Sequence, residues 1–332
     1  MKKQSALFLI SMLCFSLAGC SESDYLGSDS AGQILTEGVA FSDIDEYDIE
    51  QTQDYYNFSD DEKKAYGAIY NGIAEKEEYI KLPHKIKGDS YEKIYLNIEK
   101  QEPELFYIAN EFYTSEYIKT AHIIYKDNSD FLYSQKDALK SEIDRIVRNA
   151  DEKGDFEKLL YFHDYIAQNC SYIEQGEDVA TAYGCIIGKK ANCEGYSKAF
   201  KYLCDNADIP CVVVVGKSDN ENHAWNQVQI NGIWYNIDVT WDDYDDDFEL
   251  VHSYFMCSDD DFVRHTPDIG LMPVFECHSK EENYYIKNDL FIATQDDAER
   301  ILFENLKNVS KVIELKCSNE YIYNEFKEIY MT

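Results

Sequence analysis

Residues 223–238 read His-Ala-Trp-Asn-Gln-Val-Gln-Ile-Asn-Gly-Ile-Trp-Tyr-Asn-Ile-Asp. Asn231-Gly232 between two apolar, β-branched runs is the strongest short hairpin signal. A two-residue turn pairs Ile230 with Ile233 and therefore sets Trp225 opposite Asp238. Strand side chains alternate, so His223 shares a face with Trp225. His223 and Asp238 are then diagonal neighbours, ~7–8 Å apart at the backbone and within side-chain reach. The opposite face carries Ala224, Val228, Ile230, Ile233, Tyr235 and Ile237, a core face. A histidine held by an aspartate has a fixed tautomer and a second ring nitrogen free for a partner.

Upstream, Asn192-Cys193-Glu194-Gly195-Tyr196-Ser197-Lys198-Ala199-Phe200 suggests what that partner is. Tyr196, Ala199, Phe200, Leu203 and Cys204 keep a helical period, and Asn192 is a good N-cap. Cys193 becomes the first helical residue, where the dipole favours a thiolate and the backbone N–H is free to bind an oxyanion. Gly195 permits a close approach in the first turn. The simpler reading is a buried structural cysteine, since free cysteines are usually buried. If the helix packs across the His223 face, Cys193, His223 and Asp238 form a nucleophile, base and orienting acid. Ile209-Pro210 leads into Cys211–Val215, a continuous apolar run expected as a central strand.

These motifs together resemble the transglutaminase-like superfamily. Cys193-x-Gly195-Tyr196, His223-Ala224-Trp225-Asn226 and Asp238-x-Thr240-Trp241 match residue by residue; Phe162–Tyr172 resembles the preceding helix, and Glu102–Ile108 an N-terminal extension of bacterial members. The resemblance implies an α+β, papain-like core in which a helix bearing Cys193 packs on an antiparallel sheet bearing His223 and Asp238. It implies acyl transfer: Cys193 attacks an amide carbonyl, His223 moves the proton, and Asp238 orients the imidazole. Tyr183 or Trp225 would assist the oxyanion or line the substrate site. Water as acceptor gives a peptidase or amidase, an amine a crosslinker. Members that have lost activity supply the alternative, a silent binding module for cell-wall or peptide ligands. No cofactor is implied.

The N-terminus reads as an export signal. Lys2 and Lys3 precede an apolar run over 6–17, and Leu17-Ala18-Gly19-Cys20 resembles a lipobox. The expectation is a signal over 1–19, lipid on Cys20 and an outward-facing, membrane-anchored bacterial lipoprotein. Residues 20–55 read as a flexible tether, averaging ~30–35 Å as a coil. A mixed helix–strand extension is expected over 56–150, the core over 151–280, and a C-terminal α/β addition over 281–332. A net charge of −33 disfavours nucleic acid and anionic polymers.

Ser59–Glu62 is a capping box. Tyr66, Ile69, Tyr70 and Ile73 mark one helix, Tyr91, Ile94, Tyr95 and Ile98 a second, and Leu139, Ile143, Ile146 and Val147 a third; Phe106–Tyr125 reads as strands. His163 falls on an apolar helix stripe and is expected as a core residue. His252, Cys257, His265, Cys277 and His278 have no compact zinc-ligand spacing, so no metal is expected. The acidic run 242–249 lacks calcium-loop spacing and reads as a solvated loop. Tyr254–Met256 is expected as strand, residues 284–292 as a hairpin about Asn288-Asp289, Thr294 as a helix cap, and Val312–Leu315 as strand. Disulfide connectivity cannot be read from spacing.

Overall fold

Ser59 opens the first helix, accepting from the Glu62 N–H while the Glu62 carboxylate returns to the Ser59 N–H. The computed structural model describes residues 58–126, 131–243, 250–270, 272–307 and 314–330. The expected signal, the lipid-bearing Cys20 and the tether lie outside the described residues, as do 244–249 of the acidic run. No helix among the described residues is long and apolar enough to cross a membrane.

In chain order the elements are α1 (Asp60–Ala74), β1 (Tyr79–Lys87), α2 (Gly88–Gln101), β2 (Ile108–Phe112), β3 (Tyr117–Tyr125), α3 (Leu132–Arg148) and α4 (Asp155–Asn169). Then come β4 (Ser171–Tyr172), α5 (Ala182–Ile186), β5 (Lys190–Ala191), α6 (Cys193–Asp205), β6 (Cys211–Ser218), β7 (Glu221–Ile230), β8 (Ile233–Ile237) and α7 (Val239–Asp242). The C-terminal part holds β9 (His265–Pro267), α8 (Tyr284–Lys287), β10 (Phe291–Ile292), α9 (Gln295–Lys307), β11 (Lys316–Cys317) and α10 (Glu320–Tyr330). The fold is α+β. The principal sheet is antiparallel in the order β8-β7-β6-β9, and β1-β3-β2 form a second antiparallel sheet.

The hairpin register is the one the turn dictates. Ile230 pairs with Ile233 and Asn226 with Ile237, and Asn231 and Gly232 both take positive φ. The choice of face differs from expectation. α6 packs on the Val228, Ile230, Tyr235 and Ile237 face, in one apolar cluster with Ala199, Phe200 and Leu203. The His223 face is covered too, by a smaller core of Val212, Val214, Trp225, Trp234, Cys257, Phe262 and Cys277. Two apolar faces compete for the helix, and α6 takes the one that carries Val228, Ile230, Tyr235 and Ile237.

Residues 58–150 share the main cluster with the principal sheet. Gln101, at the end of α2, reaches into that sheet: its amide donates to the Val213 carbonyl at 2.7 Å and accepts the Val213 N–H at 2.9 Å. β9 pairs with β6 only at Gly216–Ser218, so at Val213, paired with β7 on one side, β6 has no strand on the other. Gln101 supplies the missing donor and acceptor.

Several local expectations are corrected. β1 has no clear sequence signal, because Pro83 and three lysines dilute its apolar pattern; Ile80, Leu82 and Ile86 nevertheless point inward. Within the turn-rich stretch, 182–186 form a short helix capped by Thr181. Tyr254–Met256 is not strand; the nearby pairing is a single bridge, Asn236 to Cys257. Residues 284–292 form α8 and then β10, which pairs in parallel with β11, rather than a hairpin. Residues 312–313 lie outside the described residues, and the strand nearby is 316–317. Asp242, expected in a solvated loop, is fully buried. The eight described cysteines are all free thiols.

Candidate active site

Cys193 is the first residue of α6 because Asn192 ends the extended chain and caps the helix. The Asn192 side chain accepts from Glu194 N at 3.1 Å and Gly195 N at 3.2 Å. That leaves the Cys193 N–H outside the helical bonding pattern. A Cβ on Gly195 would stand 2.3 Å from the Val179 carbonyl, so glycine is what lets the 178–181 segment pack against the first turn. Tyr196 anchors the same turn: its hydroxyl donates to the Cys170 carbonyl at 3.0 Å and contacts the Asp243 carboxylate.

The second residue of α6 carries a buried charge network. Glu194 accepts from Lys100 Nζ and Lys198 Nζ, each at 2.7 Å, and Glu99 pairs with the same two lysines. Burial alone would raise the Glu194 carboxyl, but the two ammonium groups outweigh it and hold it well below the usual range. Lys100 and Glu99 belong to α2, so the N-terminal segment fixes the turn that presents Cys193.

His223 lies near the start of β7, its side chain 8 % exposed, with Nε2 2.7 Å from Asp238 Oδ2. Cys193, half-buried, is within hydrogen-bond reach of the same ring. With Nε2 given to Asp238, Nδ1 is the nitrogen left for the thiol. The helix lies over the opposite face of the sheet, yet the contact forms because Cys193 heads its helix and His223 is close to the end of its strand. Burial opposes charge on the imidazole; the Asp238 carboxylate, with a contribution from Cys193, overrides it and raises His223 to about 10. Burial likewise works against the Asp238 anion, but His223 and His265 hold it down at about 2.

Asp238 does three things at once. Oδ2 receives His223 and also His265 Nε2 at 2.9 Å, while Oδ1 accepts the Trp241 N–H at 3.2 Å and caps α7. His265 was not anticipated as part of this group. It arrives on β9, whose Ser218–His265 pairing brings it beside the β6 end, and it is buried among Trp225, Trp241, Tyr254 and Phe262. Gly216 makes that approach feasible: a Cβ there would sit 2.2 Å from the Thr266 carbonyl.

Trp225 is 2 % exposed and walls the two histidines, 6.3 Å from His223 and edge-on to His265 at 5.1 Å between centroids. Its Nε1 is buried and has no partner among the described residues. Tyr183 lies on α5, its ring stacked on Phe106 at 5.1 Å. The histidines and cysteines considered for zinc do not converge: His252 and His265 join separate clusters, Cys257 and Cys277 are buried in the smaller core, and His278 is exposed.

Residues 141–239 match the family model of the transglutaminase-like superfamily. The chain is 24 % identical over 191 residues to the kyphoscoliosis peptidase of Homo sapiens, covering 48 % of this chain and 29 % of that protein. It is 35 % identical over 65 residues to the kyphoscoliosis peptidase of Mus musculus, covering 16 % of this chain and 10 % of that one. The chain thus spans under a third of the length of these curated relatives. Among solved structures it is similar to a candidate cysteine protease from Cytophaga hutchinsonii (20 % identity, 43 % of this chain and 46 % of that one, TM-score 0.28). It is also similar to a TGase (18 % identity, 71 % and 70 %, TM-score 0.30).

Proposed function

We propose, for a chain whose residues 141–239 make up a transglutaminase-like domain, a cysteine-dependent acyl transfer on amide substrates. The observation that carries this reading is the His223 ring held between Asp238 at 2.7 Å and the Cys193 thiol. A histidine raised to about 10 is charged at neutral pH and stands beside Cys193, whose sulfur is the nucleophile in this reading.

The thiolate sulfur adds to the amide carbonyl, forming the C–S bond and placing negative charge on oxygen. The Cys193 N–H, free of helical bonding, is the donor nearest that charge. His223 Nδ1–H gives its proton to the leaving nitrogen as the C–N bond breaks, which leaves a thioester and a neutral imidazole. An incoming water or amine loses its proton to Nδ1 as it attacks the thioester. The C–S bond then breaks, and thiolate and imidazolium are restored. Asp238 touches neither substrate nor sulfur; it sets the tautomer and the charge of the ring. Water as acceptor makes the protein a peptidase or amidase, an amine a crosslinker. With lipid on Cys20, this chemistry would act on peptide, protein or cell-wall amides outside the cell.

The test is labelling of Cys193 by iodoacetamide, read by mass spectrometry, in wild type and His223→Ala, followed by turnover of amide libraries. Rapid labelling at neutral pH that falls at least about tenfold in His223→Ala is expected. Labelling indifferent to the histidine, with saturable peptide binding and no turnover by wild type, would replace the enzyme reading with a binding module.

A further inference from the structure

Four residues along from Asp238, past the α7 turn, lies a second group of side chains that acyl transfer does not use. His163 and Asp164 are consecutive in α4, His252 follows the acidic run, Asp242 closes α7, and Glu314 belongs to the C-terminal part. His163 Nδ1 and His252 Nε2 each lie 3.0 Å from the same atom, Asp164 Oδ1. The remote nitrogens also meet carboxylates: His163 Nε2 is 3.1 Å from Asp242 Oδ2, and His252 Nδ1 is 2.8 Å from Glu314 Oε2. His163 is fully buried, His252 8 % exposed, and Asp164, at 30 %, gives the group its opening to solvent.

Every ring nitrogen of the pair therefore faces a carboxylate oxygen, whereas a neutral imidazole has one N–H to give. Asp242 and Glu314 are committed acceptors. Both Asp242 oxygens take the Tyr254 N–H at 3.0 Å, and Glu314 takes the His252 N–H at 2.6 Å and the Tyr285 hydroxyl. They place the imidazole protons on the remote nitrogens, the arrangement that carboxylates impose on metal-bound histidines. With both rings neutral, the near nitrogens then turn lone pairs toward Asp164 Oδ1, itself an acceptor. A positive centre among the three atoms resolves the conflict. Two extra protons would create two imidazolium rings 5.2 Å apart between centroids; one divalent ion brings the same charge to a single point.

The spacing suits such an ion. The three near atoms lie within 4.8 Å of one another. Ligand atoms around a tetrahedral zinc at ~2.0–2.1 Å stand about 3.3 Å apart, so the 3.0 Å contacts need to open by only a few tenths of an ångström. We propose that His163 Nδ1, Asp164 Oδ1 and His252 Nε2 form a divalent-cation site of the zinc type, with Asp242 and Glu314 orienting the two imidazoles and the exposed side of Asp164 open to a water ligand. Two nitrogens and one carboxylate oxygen are a borderline donor set, which favours zinc over calcium or magnesium. The ion would join α4 to the C-terminal part and brace the turn after Asp238, whose N–H donates to the Tyr254 carbonyl at 3.1 Å.

The experiment uses the full chain in a Cys193→Ala, His223→Ala background, which removes the thiol and the histidine pair around Asp238. Chelator-treated protein is titrated with zinc against a chromophoric competitor. One ion per chain is expected, with Kd below about 1 µM, weakened at least about 100-fold by Asp164→Asn or His252→Gln and about 10–100-fold by Glu314→Gln. Zinc should raise the melting temperature of the background protein and leave that of its Asp164→Asn derivative unmoved. No binding tighter than about 0.1 mM overturns the proposal, as does equal affinity in Asp164→Asn and His252→Gln. If His252→Gln does not fold, the partly exposed Asp164→Asn decides the matter alone.

Discussion

Replacing Asp238 by Asn removes one negative charge from the group while keeping an acceptor for the Trp241 N–H. His223 stands at about 10 against an ordinary 6.5, a gap of about 3.5 pH units. The strongest influence lifting it is the Asp238 carboxylate, and at 1 % exposure water screens it little. Without it only Cys193 opposes burial, and the ring is expected to titrate near or below its ordinary 6.5. The sign follows from the raised value: the imidazolium is present below the folded pKa and is lost as pH rises through it. At pH 8 the charged fraction should drop from about 99 % to at most about 3 %, roughly 30-fold. Two measurements read this. The Cε1 proton of His223, assigned with His223→Gln, should titrate near 10 in wild type and below about 7 in the variant. Iodoacetamide labelling of Cys193 at pH 8 should slow by the same order, since the thiolate loses its cationic partner. A titration midpoint that stays near 10 in Asp238→Asn, or labelling within threefold of wild type, would refute the idea that this carboxylate charges the ring.

Three further outcomes are expected. Lys100→Met leaves Glu99 and Glu194 sharing one lysine; breaking a buried pair costs about 3–5 kcal/mol, and a melting temperature lowered by about 6–20 °C in calorimetry would register it, whereas under 3 °C would show the network relaxing into water. Gly216→Ala drives a Cβ into the Thr266 carbonyl, so urea unfolding should show a loss of about 1–3 kcal/mol and Cys193 labelling should weaken as β9 shifts; an unchanged midpoint would contradict the close approach. His265→Leu deprives Asp238 of a donor that helps hold it at about 2, so its charge, present above that value and lost below it, should vanish at higher pH. The acid limb of labelling should therefore move up in His265→Leu and return partway in His265→Gln; equal limbs in the two variants would make His265 a packing residue only.

The parts of the site that were readable from sequence are those fixed by neighbours along the chain. Asn192 caps the turn that follows it, and Asn231-Gly232 sets a register that carries over to Asp238. His265 was not readable, because its place depends on β9 pairing with β6 across a long intervening stretch, and Arg264-His265-Thr266-Pro267 has no motif of its own. The packing face of α6 was misjudged for a related reason. Trp225 and Trp234 give the second face an apolar cover that alternation within one hairpin cannot weigh against the first. Tyr284-Tyr285-Ile286 suits strand or helix, and the Asn283 cap decides locally for α8. The His163–His252 group escaped because its five residues come from four separate segments.

Gln101 and Lys100 sit side by side at the end of α2, one completing the β6 edge and the other neutralising the residue next to Cys193. The three sequence motifs are therefore not portable. A fragment cut to the matched 141–239 would carry Cys193, His223 and Asp238 yet lose Thr240 and Trp241, expose a strand edge at Val213, leave Glu194 with Lys198 alone, and lose β9 with His265. Grafts and minimal versions of this domain would have to travel with α2 in front and β9 behind. Recombination that shuffled the matched stretch by itself would yield a sticky half-sheet rather than a smaller version of the fold.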